Sequence, residues 1–257
     1  KSNSIGYYDS SLIDSITIFF MFVAGINFTL HFKAFSGKPF LYFKDREFRI
    51  YSFIIILSAL VIFINICSQS GLYSLHTFKD SLFQTVSIIS TTGFGTADYE
   101  LWPIFVQTLL LSLMFVGGMG GSTSGGMKII RCMLLFKYAA LETRRMLHAR
   151  ALIPVRIGGN YISDDVVRNT LGFFLFFFST FIFATLALTA MGNDLVSSLG
   201  AAASAMGNIG PGLNEFGPTD NFALLSNGGK WVLSFCMLLG RLEVFTVVVI
   251  FSKTFWK

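Results

Sequence analysis

Charge is what this sequence has least of. Asp, Glu, Lys and Arg make up 13% of its 257 residues, about half the usual share. That leaves too few polar side chains to clothe a water-soluble domain of this size. Cysteine is scarce as well. Cys67, Cys132 and Cys236 each lie in or beside an apolar stretch without ligand spacing, which excludes a disulfide framework and a zinc knuckle. They read as small core residues and say little about compartment. His31, His76 and His148 stand outside any ligand constellation and read as interfacial. No zinc motif, nucleophile triad or genuine phosphate loop occurs, so no enzyme is indicated. Alternating strands of about ten residues, the signature of a membrane barrel, are missing too. There is no signal-peptide pattern, and the chain begins at Lys1 rather than Met; the expectation is a stretch cut from a longer protein.

What remains is apolar. Hydrophobic residues make up 53% of the chain, Phe occurs 30 times, and the mean hydropathy is +0.67. Several runs approach the ~20 residues that cross a bilayer, so the fold class is an all-α polytopic membrane protein. Spans are expected at 9–32, with Asp9 or Ser10 as cap, at 50–67, at 102–136 with an interruption, at 166–191 and at 231–251. Two further apolar runs, 81–90 and 195–205, amount to ~15 Å of helix. Each is too short to span and must enter the membrane and turn back. The first runs into Thr91-Thr92-Gly93-Phe94-Gly95, the second into Met206-Gly207-Asn208-Ile209-Gly210-Pro211-Gly212.

The order span, short helix, glycine string, span therefore occurs twice, an internal repeat that pairs Gly93 with Gly207. Asp80 and Asp194 fall at the two short-helix starts, where a carboxylate suits free N–H groups and the positive dipole end. The negative ends then face a common axis. Glycine admits dihedrals closed to other residues, so successive carbonyl oxygens can point at that axis and replace the water around K⁺. By residue type, 91–95 lines up with the Thr-Val-Gly-Tyr-Gly filter of potassium channels. An ordinary glycine-rich turn is the alternative for one string alone; two equivalent strings favour the filter.

The run 102–136 is interrupted by Gly117, Gly118, Met119, Gly120, Gly121, Ser122, Thr123, Ser124, Gly125 and Gly126. Met127 separates Gly126 from Lys128 and no strand precedes the run, which argues against nucleotide binding. Non-helical backbone at mid-membrane belongs beside protein or a water-filled cavity, so a loop beneath the filter is the reading, with a packing kink as the alternative. Arg241 lies midway along the last span. A central Arg costs ~2.5–3.5 kcal/mol on insertion scales, so it should face the pore, a partner or backbone carbonyls. Lys and Arg cluster in 33–49, 128–156 and 253–257, whereas Asp98, Glu100, Asp194, Glu215 and Asp220 occupy the opposite loops. Basic loops are cytoplasmic, so both glycine strings open outward. Within 137–156, Lys137, Arg144, Arg145 and Arg150 oppose Glu142 alone, a composition suited to anionic lipid headgroups at ~1 kcal/mol per cation.

Six strings, taken together, resemble one family. They are Ser-Ile-Gly-Tyr-Tyr-Asp-Ser (4–10), Ala-Gly-Ile-Asn-Phe-Thr-Leu-His-Phe (24–32), Thr-Thr-Gly-Phe-Gly-Thr-Ala-Asp-Tyr (91–99), Gly-Gly-Met-Gly-Gly-Ser-Thr-Ser-Gly-Gly-Met-Lys (117–128), Gly-Asn-Ile-Gly-Pro-Gly (207–212) and Gly-Arg-Leu-Glu (240–243). The chain resembles the membrane subunit of the Trk/Ktr/HKT potassium transporters, most closely the Trk type. The resemblance implies four span–pore helix–filter loop–span units around one pore. Here it assigns 1–49 to the closing helix of a truncated second repeat and a connector, 50–137 to the third repeat, 138–165 to a cytoplasmic linker and 166–257 to the fourth. It implies potassium uptake across a bacterial inner membrane, with K⁺ at the filter residues 91–95 and 206–210 and an intramembrane gate at 117–126 held by Arg241. It also implies a homodimer, N-terminal repeats on the same subunit, and a cytoplasmic nucleotide-binding regulatory subunit at Arg144, Arg145 and Arg150. No covalent cofactor and no nucleic-acid partner are expected. A Na⁺- or H⁺-coupled symporter on the same scaffold and a non-conducting assembly fragment are the rival readings.

Overall fold

The computed structural model describes residues 4–71, 73–147 and 154–242, together with 249 and 256. Helices dominate, and the described strands form one hairpin, Arg156–Ile157 against Asn160–Tyr161. A 3₁₀ turn, Ser4–Tyr8, leads into α1 (Ser11–Ala24) and α2 (Phe28–Phe35). The single span expected at 9–32 is thus a pair of helices bent by 101°. The bend sits where Asn27 caps α2 by accepting the Thr29 N–H at 2.7 Å, a local bond that competes with helix continuation. Ser10 takes the position before α1 without a side-chain capping bond.

After α3 (Leu41–Lys44) comes α4 (Arg46–Ser70), started by Asp45, whose carboxylate accepts the Phe48 N–H at 2.9 Å, and stopped by Gly71 at φ 70°. Its 25 residues reach ~38 Å, enough to cross a bilayer. The second such helix is α8 (Asp164–Ala190), with Asp164 and Asp165 at its positive dipole end. Between them lie α5 (Leu75–Ile89), α6 (Ile104–Val116) and α7 (Ile129–Leu147). The interrupted span expected at 102–136 is therefore two helices parted by 117–128. Finally come α9 (Leu195–Gly207) and α10 (Asn227–Leu242); most of the expected last span beyond 242, with Glu243, Lys253 and Lys257, lies outside the described residues.

The sequence α4–α5–α6 and the sequence α8–α9–α10 repeat one plan around two short, buried helices. Residues Asp80 to Ile89 of α5 and Ser197 to Gly207 of α9 are almost wholly buried. Phe83 and Ile88 of α5 share one cluster with Tyr51, Leu110 and Met114. Phe173 and Phe177 with Ala201, Ala202 and Ala205 of α9 belong to the second cluster, while Ala203 falls in the first. Phe115 joins the two, stacked on Phe178 and edge-on to Phe181. Within lipid such seams are held by close packing and hydrogen bonds rather than by expelling water, which suits the run Ala201-Ala202-Ala203 facing several neighbours.

Candidate functional site

The site is built at the C-terminal ends of α5 and α9. Residue Thr91 leaves α5 in the left-handed region, φ 56°, its N–H on the Ile88 carbonyl at 3.1 Å. Thr92 N–H then reaches back to the Ser87 carbonyl at 2.9 Å, and Gly93 N–H approaches the same oxygen at 3.4 Å. Helix α9 ends in the same way. Asn208, φ 55°, donates to Ala205 O at 3.1 Å, Ile209 to Ser204 O at 3.0 Å, and Gly210 to Ser204 Oγ at 3.0 Å. Thr91, Thr92 and Gly93 therefore stand opposite Asn208, Ile209 and Gly210. This corrects the expected register: the counterpart of Gly93 is Gly210, not Gly207. Both glycines have positive φ, 76° and 117°, whereas Gly207 closes α9.

The same register undoes the pairing of Asp80 with Asp194. Asp194 does cap α9, accepting from Val196 N at 2.9 Å. Helix α5 instead starts at Ser74, whose hydroxyl accepts from His76 N at 3.2 Å. Asp80 lies inside the helix, paired with His76 at 2.9 Å and accepting from Thr96 Oγ1 at 3.0 Å. Next to it in the chain, Lys79 meets the buried Asp14 of α1 at 2.6 Å. The sequence starts the helix late because these polar residues look like a loop; inside the fold they are paired, His76 with Asp80 and Lys79 with Asp14.

The two strings abut. A Cβ on Gly93 would collide with the Ile209 carbonyl oxygen, so that position is closed to side chains by contact as well as by φ. Within 91–95 the carbonyls divide into two classes. Phe94 O accepts from Ser87 Oγ at 2.6 Å and Gly95 O from Gly6 N at 3.0 Å. Among the described residues no hydrogen bond ends on the carbonyls of Thr91, Thr92 and Gly93, nor on those of Asn208, Ile209 and Gly210.

The loop 117–128 lies against this floor. Gly125 N donates to Thr91 Oγ1 at 2.7 Å, and a Cβ on Gly125 would strike the Gly207 carbonyl. The loop also grips the break between α1 and α2: Met119 N donates to Gly25 O at 2.9 Å, Phe28 N to Gly121 O at 3.1 Å, and Thr123 Oγ1 to Ala24 O at 3.1 Å. Arg241 donates from Nη1 to the Thr123 carbonyl at 2.8 Å, so of the three expected destinations it takes a backbone carbonyl. Lys128 Nζ donates to the carbonyls of Ser122 and Ser124. A cavity of about 240 Å³ lies between Ser122, Thr123, Gly125, Lys128 and Arg241.

Three participants escaped sequence reading. Glu47, buried in the first turn of α4, accepts from both Gly120 N (2.7 Å) and Ile130 N (3.0 Å) through one oxygen, bridging the two roots of the loop. Nothing in the sequence ties a carboxylate to a loop so far along the chain. Lys128 enters the sequence reading as charge, as a rejected phosphate-loop lysine and as the end of a string, and Tyr99 only as part of a string. On the far side of the strings, Glu100 presses against Gly217 with its Oε1 lacking a well-formed partner. Desolvation, then Asp98 and Asp220, push its carboxyl up to about 7. At the other end, α7 runs unbroken from the loop to Arg144 and Arg145, the latter paired with Glu142 at 2.7 Å; Arg150 lies outside the described residues.

The TrkH family of cation transport proteins matches residues 1–257. The chain belongs to this family. Its relatives include the Trk system potassium uptake protein TrkH of Vibrio parahaemolyticus, 42% identical over 99% of this chain, and TrkG of Escherichia coli strain K12, 34% identical over 100% of it. In both cases 53% of the relative is covered, so the chain spans about half their length. The crystal structure of the potassium transporter TrkH from Vibrio parahaemolyticus superposes with a TM-score of 0.91 at 41% identity, covering 99% of this chain and 55% of that one. The all-α polytopic transporter fold of the TrkH family is thus the fold of this chain.

Proposed function

We propose that this chain forms part of a potassium uptake pore, contributing two filter segments and a gate. The observation that carries the reading is the matched pair of free carbonyl trios, 91–93 and 208–210, at the negative ends of two buried short helices. Oxygens so presented can stand in for the hydration shell of K⁺. Relatives named as potassium uptake proteins support the same ion. Two segments cannot enclose an ion, so further repeats of the same subunit complete the ring. The filter then comprises Thr91, Thr92 and Gly93 with Asn208, Ile209 and Gly210; Phe94, Gly95, Met206 and Gly207 support it from behind.

The loop 117–126 obstructs the path beneath this filter, with Arg241 holding it and adding a positive barrier. The subunit sits in a bacterial inner membrane as a homodimer, glycine strings outward and the α7 end cytoplasmic. There Arg144 and Arg145 meet a nucleotide-binding regulatory subunit or anionic headgroups, and α7 carries the movement to the loop. The test compares rubidium and sodium uptake in K⁺-starved cells carrying the complete subunit. Gly93→Ser and Gly210→Ser are each expected to cut the rubidium-to-sodium ratio by about tenfold, equivalent to ~1.4 kcal/mol of discrimination, because a side chain at positive φ shifts the carbonyls on either side of it. An unchanged ratio in both variants overturns the filter assignment.

A further inference from the structure

The residue two places beyond each filter glycine has its carbonyl held from another part of the chain. Gly95 O, two beyond Gly93, accepts from Gly6 N at 3.0 Å. Gly212 O, two beyond Gly210, accepts from the hydroxyl of Tyr99 at 2.6 Å. Both donors sit in 3₁₀ turns, Ser4–Tyr8 and Tyr99–Leu101, and each turn precedes in sequence the unit whose carbonyl it holds. Tyr99 is 0% exposed and its ring leans on Trp102, so the hydroxyl has no freedom to look elsewhere.

We propose that these turns form a collar that sets the filter aperture, and that Tyr99 is a specificity-determining positioning residue for the segment Asn208–Gly210. The inference rests on the filter reading and deepens it. The free carbonyls 208–210 are suspended between two anchors. On the inner side they hang from Ala205 and Ser204 through the cap of α9. On the outer side the next fixed point is Gly212, whose N–H also donates to Phe216 O at 2.6 Å. Pro211 lies between, and its ring locks φ. A shift of Gly212 is therefore passed to Gly210 rather than absorbed. The Tyr99 hydroxyl crosses from the α4–α6 unit to the α8–α10 unit, so it fixes one filter segment relative to its neighbour.

The experiment places Tyr99→Phe in the complete subunit and measures rubidium and sodium uptake per molecule in the membrane, with Gly210→Ser alongside. Loss of one neutral hydrogen bond is expected to lower the rubidium-to-sodium ratio about fivefold. A merely structural role lowers both fluxes in proportion and leaves the ratio alone. An unchanged ratio for Tyr99→Phe with a lowered one for Gly210→Ser overturns the collar and leaves the filter standing. Unchanged ratios in both overturn the filter reading and the collar with it. If Tyr99→Phe fails to reach the membrane, Gly6→Ala takes its place, because the added methyl crowds the Thr96 carbonyl at 2.8 Å on the sister contact. Preserved selectivity there likewise overturns the collar.

Discussion

The two units reach the same backbone geometry at their glycine strings by different chemistry. In the α4–α6 unit, hydroxyls and charges do the holding. Ser87 ties Phe94, Thr91 ties the loop, and Glu47 bridges Gly120 and Ile130. In the α8–α10 unit, neutral groups do it: Ser204 Oγ accepts from Gly210 N–H, Asn208 Nδ2 donates to Met237 O, and Ala201, Ala202, Ala203 and Gly207 let helices meet closely. The difference follows the inner helix. Where it is broken, freed backbone groups must find partners inside the membrane. Where α10 runs unbroken to Leu242, its own ladder satisfies them, and neutral contacts suffice.

The sharpest way to break this comparison uses the second residue of each long helix. Glu47→Ala strands two N–H groups at the loop roots and is expected to cost about 3 kcal/mol, read as a large drop in melting temperature of the detergent-purified subunit. Asp165, at the equivalent place in α8, forms an exposed pair with Arg168 at 2.8 Å, and Asp165→Ala is expected to be nearly silent. Equal effects would erase the distinction.

A smaller effect sharpens the register. At Gly207 an added Cβ meets the Ile209 side chain at 2.9 Å and the Met114 carbonyl at 3.1 Å. Gly207→Ala is thus expected to destabilise by about 1–2 kcal/mol through overpacking, with the rubidium-to-sodium ratio kept. Lost selectivity with normal stability would return Gly207 to the filter line.

The smallest concerns the outer seam between units. The Glu100 carboxyl is harder to protonate unfolded than folded, its value rising from 4.5 to about 7. The folded state holds more protons across that window, so stability falls as pH rises through it. Glu100→Gln is expected to match the parent near the bottom of the window and exceed it at pH above about 7. The gain stays under about 1 kcal/mol because the site is half exposed. Melting curves across pH decide it, and a gap that widens on acidification contradicts the assignment.

Long elements were legible in the sequence because their signal is collective. The run 50–67 sits inside α4, the run 166–191 matches α8 up to its cap Met191, and the shortness of the runs 81–90 and 195–205 marks them as re-entrant. What escaped was decided by single contacts. The span read at 9–32 concealed the 101° bend at Asn27, since Gly25 and Asn27 are too few to interrupt its hydropathy and only the capping bond marks the break. Matching glycine to glycine put Gly93 opposite Gly207, because type alone cannot tell a helix-ending glycine from one beyond it. The hydrogen bonds of Thr91 and Asn208 supply that distinction. Glu47 and Tyr99 were hidden for a plainer reason: their partners lie far along the chain.

One hydrogen bond, Gly125 N–H to Thr91 Oγ1 at 2.7 Å, makes loop and glycine string share an equilibrium. Any loop position that breaks the bond releases the Thr91 side chain. By reciprocity, whatever stabilises one Thr91 rotamer biases the loop by an equal free energy. The ceiling on that exchange is the worth of the bond itself, ~1 kcal/mol or about fivefold in a population ratio. On the proposed function, an ion resting in the string tunes through this bond how often the loop is displaced, by no more than that factor.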